Sequence, residues 1–452
     1  MSMSFWKNKP IAVKFAKTNT QPITSNIIVP ADTLLQNTVQ EIENSRIQLD
    51  WVLITNPTDD QKYEMLEFIN QNYGNARSYL MLQYNKALLD YFIKPDTLCI
   101  TFYPKGKALN DIDHTQMIGL IMGKKHDLFV REGSMEQRSE CKQDENEVVW
   151  EDQDTKDQDT KDQDLVTSEQ AEFKKYNCID VNFLCLVQHL RNLHVSSYMI
   201  NVVTRECLVH YNLTVPCAVY TVNKRLNTDS FCKKTFYHRP VNVENMLLSG
   251  MMTLDNSAGY TDTESLQLLR RIYNTFSYSR DFFKTHTLEI LPTDFDDLTL
   301  DTIYEKLFTY NRNYHDIFEY KSKDDLRQML QNPTFYKFII RDEKHEITDF
   351  FCLYNLNTIN KRSGKICRNG NVYSFFLQTA SNTRLSCILE AITEVCYQNN
   401  TFDVITIMNI FNTKPELYKT YKLLRTDTDL YYYVYNMDMY SIPPHRNGLI
   451  TI

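Results

Sequence analysis

The sequence predicts an α/β fold with one mixed sheet made of two halves of similar plan. In each half, two adjacent strand-like segments are followed by a helical segment and then by a buried strand. Segments of these kinds in this order give a sheet with helices packed against it. Because the order occurs twice, we expect the halves to be related by a pseudo-twofold axis. The 452-residue chain is long enough for both halves.

We place the first half at residues 1–260. Its first 50 residues are predicted to be mostly extended, because Pro10, Pro22 and Pro30 interrupt them. Apolar alternation or helical periodicity marks each later element. In chain order these elements are the strand Trp51–Ile54, the helix Gln61–Asn70, the strand pair Leu98–Tyr103 and Met117–Met122, the strand Ile179–Cys185, a helix capped by Ser196 or Ser197, and the strand Val215–Val222.

The second half, residues 261–452, repeats this order, and we expect the boundary near residues 260–285. A polar turn between two apolar runs predicts a hairpin in this half. The elements are the helix Thr299–Tyr310, the hairpin strands Phe335–Ile340 and Ile347–Tyr354, the strand Tyr373–Phe376, a helix through Ile388–Ile392, and the strands Phe402–Met408 and Tyr431–Tyr435.

Composition excludes several classes of protein. The net charge is −8 and no Lys/Arg cluster exceeds two or three residues, which argues against a nucleic-acid partner. No run of 18 apolar residues predicts a transmembrane segment, and the first residues lack the apolar core of a secretory signal. The eleven cysteines are scattered, without Cys-x-x-Cys or a Cys/His spacing that suits zinc. We therefore expect a cytoplasmic, metal-free protein with reduced thiols.

Residues 131–175 differ in composition from the rest of the chain. The segment is acidic, poor in aliphatic side chains, and contains a short repeat that begins at Asp152. Such a segment cannot bury enough apolar surface to fold, so we expect a disordered surface loop. The alternative is an acidic docking arm for a basic partner such as the ribosome.

The strand Ile179–Cys185 and the helix after it could bind an anion. A strand that leads through a short loop to a helix N-terminus presents unpaired N–H groups and the positive end of the helix dipole. The phosphate of a cofactor can bind at such a place. An ordinary core strand with a crossover helix has the same pattern, and the residues alone leave both interpretations open.

The Asp-Val-Asn-Phe-Leu-Cys run at Asp180–Cys185 resembles the Glu-Ile-Asn-Phe-Leu-Cys signature of N-myristoyltransferases. Four further segments match that family in the same order, namely Phe5–Pro10, Phe236–Arg239, Ile347–Phe350 and the tail Gly448–Ile452. The resemblance covers nearly the whole chain apart from the acidic segment. It implies two acyl-CoA N-acyltransferase (GNAT-like) halves. It also implies a monomeric, metal-free glycylpeptide N-tetradecanoyltransferase, which moves myristoyl from myristoyl-CoA to the N-terminal glycine of peptides and nascent proteins.

The resemblance also implies how the reaction is catalysed. The backbone N–H groups of Phe183 and Leu184 would bind the oxyanion, a role that tolerates changes of side chain. The base would be the α-carboxylate of Ile452, which an apolar tail carries inward, and burial would raise its pKa from ~3.5 towards a useful value. Thr221 and Asn182 would hold the amine by hydrogen bonds. The residues alone show no convincing Ser/His/Asp set.

The resemblance assigns further residues to the two substrates. For the acyl-CoA they are Ser4, Phe5, Trp6, Phe183, Leu184, Cys185, Leu186, Arg191, Asn192, His194, Val195 and Ser196. For the peptide they are Tyr73, Asn182, Phe236, His238, Tyr354, Tyr373 and Asp427. The other candidate bases are His238, Asp180 and Asp349, and each is better interpreted as a structural residue.

Three loops depart from the family pattern. The phosphate loop keeps Arg191 but lacks two of the three expected cations, which predicts weaker binding of acyl-CoA. The loop after Tyr73 lacks an acidic run that would receive a basic peptide, and the glycines around Asp427 are replaced. Two alternatives therefore stay open beside the typical enzyme. One is a transferase with altered peptide choice, and the other is a non-catalytic relative that binds acyl-CoA or peptide.

Overall fold

The structure is a computed structural model. It describes residues 6, 9–14, 22–23, 26–74, 78–105, 115–134, 172–191, 193–254, 261–276, 282–379, 381–411, 418 and 421–450. Four residues with predicted roles, Ser4, Phe5, Asn192 and Ile452, lie outside the described residues.

The described residues form strands and helices in the following places. The strands are β1 (Ala12–Lys14), β2 (Pro22–Ile23), β3 (Leu49–Thr55), β4 (Leu80–Gln83), β5 (Thr97–Pro104), β6 (Gly119–Arg131), β7 (Gly133–Ser134), β8 (Phe173–Leu186), β9 (Cys217–Val222), β10 (Cys232–Pro240), β11 (His286–Ile290), β12 (Ile317–Tyr320), β13 (Phe335–Asp342), β14 (Ile347–Asn355), β15 (Asn357–Asn360), β16 (Ile366–Cys367), β17 (Asn369–Phe376), β18 (Val404–Met408), β19 (Leu424–Tyr435) and β20 (Asp438–Tyr440). The α-helices are α1 (Ala31–Glu43), α2 (Asp59–Asn72), α3 (Lys86–Phe92), α4 (Val195–His210), α5 (Val243–Leu248), α6 (Asp262–Tyr273), α7 (Asp297–Tyr314), α8 (Lys323–Gln331) and α9 (Asn382–Gln398).

One large mixed sheet runs through the molecule. Its strand order is β11-β13-β14-β17-β18-β10-β19-β9-β8-β6-β5-β3, and β12 pairs with β6 beside this path. The neighbours β8–β9 and β17–β18 are parallel. A helix joins each of these pairs, α4 after β8 and α9 after β17, as a parallel connection requires. The order strand, helix, parallel strand thus occurs in both halves of the chain, and the predicted mixed α/β sheet is confirmed.

The two halves exchange their last strands at the centre of the sheet. β10 comes from the first half of the chain but pairs with β18 of the second. β19 comes from the second half and pairs with β9 of the first. β10 and β19 also pair with each other in antiparallel fashion. A division of the chain at residues 260/261 therefore does not divide the sheet, because each half is completed by a strand from the other.

Both faces of the main sheet are covered, which explains the near-continuous apolar runs of its strands. Neighbouring residues of a strand point to opposite faces, yet Phe350 and Phe351 on β14 are both fully buried. Cys99 and Ile100 on β5 are fully buried as well. Full burial of an apolar side chain contributes roughly 1.5–3 kcal/mol before the entropy of ordering is subtracted. These strands therefore form a rigid frame for the site.

Helix α1 shows that the prediction of a mostly extended chain up to residue 50 is wrong. Pro30 ends the extended chain and occupies the N-cap position of α1, where a missing N–H removes no helical hydrogen bond. Leu34, Thr38 and Ile42 then recur at every fourth position, and all three are buried. This face packs against the protein, and α1 contacts α4. The prolines of the preceding segment concealed its helical periodicity.

The strand pair β6 and β8 extends into residues 131–175, which were predicted to be a disordered loop. β8 begins at Phe173, which pairs with Arg131 of β6. The Phe173 ring lies 5.4 Å from that of Phe318, and this aromatic contact anchors the end of the strand. The prediction is therefore wrong at both edges of the segment, whereas residues 135–171 lie outside the described part of the chain.

Three further observations bear on the class of protein. Within the described ranges, no helix combines the length and the apolar character that crossing a membrane requires. The same residues contain no group of three or more His, Cys, Asp or Glu side chains that could hold a metal ion. The ten cysteines found among them are all buried, and none forms a disulfide.

Candidate active site

The candidate site lies where the parallel strands β8 and β9 separate. Their described pairing joins Cys178–Asp180 to Cys217–Val219. Beyond that point β8 continues beside β6, and β9 continues beside β19. Backbone groups on the two facing edges lie outside the β8–β9 ladder and can bind a ligand. Asn182–Leu184 lies on one edge and Thr221 on the other, so this split brings the predicted catalytic residues of both strands together.

β8 is bulged at the edge of the split. Its register against β6 shifts between Leu120 and Met122, so that Phe183 and Leu184 together oppose one residue of β6. Phe183 has a φ of +50°, a left-handed conformation that is uncommon for a bulky residue. A bulge takes backbone groups out of the ladder and aims them in a new direction. Such re-aimed N–H groups are what an oxyanion site requires.

Three aromatic rings enclose the Phe183 side chain, which is 3% exposed. The ring centroids of Tyr73, Tyr84 and Phe92 lie 5.9, 5.2 and 5.1 Å from that of Phe183. A left-handed φ costs of order 1–2 kcal/mol, and burial of the ring in this cluster offsets that strain. Burial also raises the pKa of the Tyr73 hydroxyl to about 12, so it stays neutral near pH 7. Packing thus holds the bulge before any ligand binds.

Asp180 orients the side chain of Asn182. Asn182 Nδ2 donates to Asp180 Oδ2 at 2.7 Å, and Oδ1 of the same carboxylate is buried without a partner in the described part of the chain. Burial raises the pKa of Asp180, against the opposing attraction of His126 and Lys124. This arrangement gives Asp180 a positioning role towards Asn182, which agrees with its interpretation as a structural residue.

The β9 side of the split carries Thr221 and an aromatic stack. Thr221 pairs with Tyr432 of β19. The Trp6 ring stacks on Tyr220 with 5.2 Å between centroids, and Tyr220 stacks on Tyr433 at 5.4 Å. Trp6 is 3% exposed. The predicted acyl-CoA contact Trp6 therefore packs on β9 through Tyr220, the residue that precedes Thr221.

Helix α4 begins in the predicted phosphate loop, but its cap differs from the predicted one. The N-cap is His194, which has a φ of 61° and makes no capping hydrogen bond through its side chain. Ser197 is buried in the first turn, and its N–H donates to the His194 carbonyl. The prediction that Ser196 or Ser197 caps the helix is therefore wrong. Burial of the apolar Val195 in the core makes the helix start earlier.

Arg191 is bound to the protein's own backbone. Its Nε donates to the Leu186 carbonyl at 3.0 Å, and its Nη1 donates to the Gly74 carbonyl at 2.6 Å. The second terminal nitrogen donates to the Asn72 carbonyl. These bonds occupy three of the five N–H donors of the guanidinium. Arg191 therefore ties the end of β8 to the loop that carries Tyr73.

The other predicted acyl-CoA residues near the end of β8 offer little side-chain surface. Cys185, Leu186 and Val195 are buried in the core. Burial raises the pKa of the Cys185 thiol to about 12, which makes it a poor nucleophile. These residues can meet a ligand through their backbone, as binding at a helix N-terminus requires. Ser196 is half-buried and His194 is exposed in the same turn.

The C-terminal tail runs back into the molecule beside β12. Asp316 N–H donates to the Arg446 carbonyl at 2.7 Å, and Gly448 N–H donates to the Ile317 carbonyl at 2.8 Å. A Cβ on Gly448 would lie 2.4 Å from His315 Nδ1. A side chain at position 448 would therefore clash with the imidazole, and glycine lets the backbone pass.

The end of the described tail lines a pocket to which Ile450 and Tyr373 both contribute. Glu319 and Lys321 lie in the wall as an ion pair. The Lys321 ammonium is 5.0 Å from the centre of the Tyr373 ring. Burial raises the pKa of the Tyr373 hydroxyl well above its usual value, and the charges of Glu319 and Asp180 add to this effect. The tail and Tyr373 thus line the same pocket.

The predicted peptide residues Tyr73, Tyr354 and Tyr373 lie in one aromatic cluster. The Tyr354 and Tyr373 rings are 5.9 Å apart. Burial raises the pKa of Tyr84, and Tyr73 and Tyr354 raise it further by their proximity. Tyr73 and Tyr84 pack directly on Phe183, and Tyr354 and Tyr373 lie farther along the same aromatic cluster.

Phe236, His238 and Asp427 form a second group, on β10 and β19. The register of these strands shifts between Thr235 and Tyr237, so Phe236 faces a bulge of β19 that contains Asp427. The segment that was predicted to be a loop is therefore part of a strand, with Asp427 exposed on it. β9 lies between β19 and β8 in the sheet, so this group is separate from the residues at the split.

His238 has the features of a structural histidine. Its Nδ1 lies 2.9 Å from Thr406 Oγ1, and burial lowers its pKa to about 4. It is therefore neutral near pH 7, and a proton is added to it only in acid. These properties support the interpretation of His238 as a structural residue rather than as the base.

Burial of His238 predicts a loss of stability in acid. Its pKa is about 4 in the folded protein and ~6.5 in an unfolded chain. Between these values the unfolded chain binds more protons, so stability falls as the pH decreases from ~6.5 to ~4. We expect His238→Gln to flatten this part of the pH dependence of the urea midpoint, whereas His210→Gln, which removes an exposed histidine, leaves it unchanged. An identical slope in His238→Gln and the wild type would contradict the prediction.

Sequence reasoning missed three charged residues, the fully buried Lys234 and the partly buried ion pair of Glu319 and Lys321. Lys234 is fully buried on β10 and shares the inward face of the strand with Cys232. A lysine at an apolar position of an alternating strand was a visible signal. Glu319 and Lys321 gave no such signal, because their neighbour His126 lies in the other half of the chain, with its Nδ1 3.7 Å from Glu319 Oε1.

Comparison with known proteins finds relatives over much of the chain. Residues 291–448 match the family model for the C-terminal domain of Myristoyl-CoA:protein N-myristoyltransferase. The glycylpeptide N-tetradecanoyltransferases of Aspergillus fumigatus and Plasmodium falciparum are each 24% identical to the chain, over 286 and 275 residues. These matches cover 60% of this chain, and 54% and 62% of the two relatives. The match thus spans less than two thirds of either relative.

The fold is similar to solved structures over its whole length. Two crystal structures of Saccharomyces cerevisiae N-myristoyltransferase with bound myristoyl-CoA match with TM-scores of 0.68 and 0.69. Sequence identity is 16% and 17%, and the matches cover 100% and 99% of this chain and 94% and 99% of the yeast chains. This likeness confirms the mixed α/β fold class.

Proposed function

We propose that the chain is a member of the N-myristoyltransferase family and that it transfers a myristoyl group from myristoyl-CoA to the α-amine of an N-terminal glycine. The bulge at Phe183 and Leu184, at the edge of the split between β8 and β9, is the observation that supports this most. Strand β8 carries the signature, and the bulge gives this strand the backbone geometry of an oxyanion site. The inward course of the tail supports the second part of the mechanism, the terminal carboxylate as base.

In the proposed reaction the glycine amine attacks the carbonyl carbon of the thioester. As the C–N bond forms, the carbonyl oxygen becomes an oxyanion that accepts hydrogen bonds from the Phe183 and Leu184 N–H groups, and each such donor contributes about 3–4 kcal/mol. The C–S bond then breaks, and coenzyme A leaves as a thiolate. The α-carboxylate of Ile452 takes the first proton from the α-ammonium before attack, and the second proton, which the nitrogen loses after the C–N bond forms, goes to the leaving thiolate.

Residues on the two edges of the split would bind the amine. A glycine α-ammonium has a pKa near ~8, so most of it is protonated at neutral pH and has no lone pair for attack. Asn182 and Thr221, on facing edges, would hold the amine where the base can remove a proton. Asp180 fixes the Asn182 amide group through the 2.7 Å hydrogen bond, so this contact is oriented in advance.

The coenzyme A phosphates would bind at the N-terminus of α4. The backbone N–H groups that follow His194 provide donors and the positive end of the helix dipole. Arg191 lies in the same loop, but three of its donors are bound to backbone carbonyls. We therefore expect the helix N-terminus to supply most of the phosphate binding, and binding to be weaker than in relatives with more cations in this loop.

The proposed peptide path runs over Tyr73, Tyr354 and Tyr373. Proteins that begin with glycine are the proposed partners, and the cytoplasm is the proposed compartment, which agrees with ten buried thiols outside disulfides in the described residues. A ribosome contact through the acidic segment stays a prediction, because residues 135–171 lie outside the described part of the chain.

A transfer assay with the full chain tests the proposed function. The chain is incubated with myristoyl-CoA and a panel of Gly-initiated peptides that differ in net charge. We expect acylated product, with little gain from added lysines, because no Asp or Glu lies between Tyr73 and Tyr84 to attract them. Absence of product across the whole panel, with myristoyl-CoA binding retained in calorimetry, would select the non-catalytic alternative.

A further inference from the structure

Lys234 is a fully buried lysine in the central strand β10. Burial removes its ammonium group from water and lowers its pKa to about 7. In the part of the chain that the structure describes, no carboxylate pairs with it, and the nearby Cys232 is the group that acts on its charge. Placing a lysine in such surroundings is unfavourable unless its N–H donors satisfy other buried groups.

The Lys234 ammonium donates to the C-terminal tail. Its Nζ lies 2.8 Å from the Asn447 carbonyl oxygen and 2.6 Å from the Leu449 carbonyl oxygen. Nζ is also 4.9 Å from the centre of the Tyr432 ring, within reach of a cation–π interaction. Asn447 and Leu449 are themselves buried. Without Lys234, two buried carbonyl groups would lose their donor.

These contacts clamp the tail on the side opposite β12. Gly448 lies between the two carbonyls that bind Lys234, and its N–H donates to the Ile317 carbonyl. The Leu449 N–H in turn donates to Asn447 Oδ1 at 2.9 Å. The backbone at residues 447–449 is therefore held from β10 by Lys234 and from β12 by Ile317.

The clamp sits just before the end of the chain. Leu449 precedes Ile452 by three residues, and three extended residues span up to ~10 Å. A general base must lie within about 3 Å of the proton that it removes. An unclamped tail would let the carboxylate move over several times that distance, and misplacement by about 1 Å already slows catalysis strongly.

We propose that Lys234 is a positioning residue for acyl transfer, which fixes the tail so that the α-carboxylate of Ile452 reaches the substrate amine. This inference rests on the proposed function, since it needs the terminal carboxylate to be the base. The oxyanion donors and the phosphate site lie on β8 and α4, away from Lys234. Loss of the clamp therefore lowers the rate of the chemical step and leaves acyl-CoA binding intact.

Lys234→Met tests the role of the ammonium donors, because it keeps the length and apolar body of the side chain. We expect kcat to fall at least about tenfold, with the KM for myristoyl-CoA within about twofold of the wild type. Lys234→Gln retains an amide group that can donate to both carbonyls, so we expect it to recover most of kcat. The matched control is Lys233→Met on the same strand, whose ammonium pairs with Asp429 at 2.7 Å on the exposed side, and it keeps wild-type kinetics.

Hydrogen exchange gives a readout that does not depend on activity. In a C-terminal peptide covering residues 446–452, we expect faster exchange in Lys234→Met than in the wild type and in Lys233→Met. Lys234→Leu serves as the second donor-free variant if Lys234→Met does not fold. Wild-type kcat and wild-type exchange in a folded donor-free variant would overturn the inference. A wild-type chain that acylates no peptide would overturn the proposed function instead, and the exchange result would still decide whether Lys234 holds the tail.

Discussion

Addition of one glycine after Ile452 is expected to reduce acyl transfer by at least about 100-fold, which is the usual contribution of a general base. The extra residue turns the Ile452 carboxylate into a neutral amide and moves the charge by up to ~3.5 Å. The tail cannot slide back to compensate, because Gly448 is fixed between His315 and the Ile317 carbonyl. The change should appear in kcat, measured by release of free coenzyme A.

Two controls separate this effect from a general loss of structure. Ile452→Val keeps the chain length and the carboxylate, so we expect it to retain most of the activity. Calorimetry with myristoyl-CoA should give the wild-type affinity for the extended chain, since the acyl-CoA elements lie on β8 and α4. Unchanged turnover in the extended chain would exclude the terminal carboxylate as base.

Arg384→Met is expected to destabilise the fold by about 3–5 kcal/mol, the range for a buried charge that loses its partner. Asp349 is fully buried on β14, inside the Ile347–Phe350 motif. Arg384 Nε and Nη2 donate to its two oxygens at 2.9 and 2.6 Å. Thr348 Oγ1 and the Gln378 N–H also donate to the carboxylate, at 2.7 and 3.2 Å. The pair therefore links β14 to helix α9.

Urea denaturation followed by circular dichroism measures this effect. The matched control is Arg327→Met, which removes an ion pair with Asp297 at 2.8 Å that is exposed on the surface. We expect that control to lose no more than about 1 kcal/mol. Equal losses in the two variants would show that burial does not strengthen the Asp349 pair.

Much of the frame could be predicted because its signals are local. The hairpin of β13 and β14 follows from two apolar runs around a polar turn, and both strands lie where they were predicted. The exchange of β10 and β19 between the halves could not be predicted, because it depends on pairing between strands that are far apart in the chain. Helix α1 was missed for a different reason, since the prolines before it outweighed its periodicity.

The candidate site, like the frame, could be predicted only in part from the sequence. The Asn182–Leu184 motif pointed to backbone donors, and the bulge with its left-handed Phe183 gives that interpretation a structural basis. The role of Arg191 was not visible, because two of the three carbonyls that it binds, those of Asn72 and Gly74, lie more than 100 residues earlier in the chain. The contact between Lys234 and the tail could not be predicted either, because no residue near Lys234 in the sequence indicates that residues 447 and 449 lie beside it.

The product formed from myristoyl-CoA by the full chain is the most direct test of the proposed function. A Gly-initiated peptide is supplied with its α-amine either free or acetylated, and fragmentation mass spectrometry locates any acyl group. If the split between β8 and β9 is an acyltransferase site, the free peptide is acylated on its glycine α-amine and the acetylated peptide is not modified. Failure to modify either peptide while myristoyl-CoA binds, or transfer to a side chain of the acetylated peptide, would contradict the proposed function.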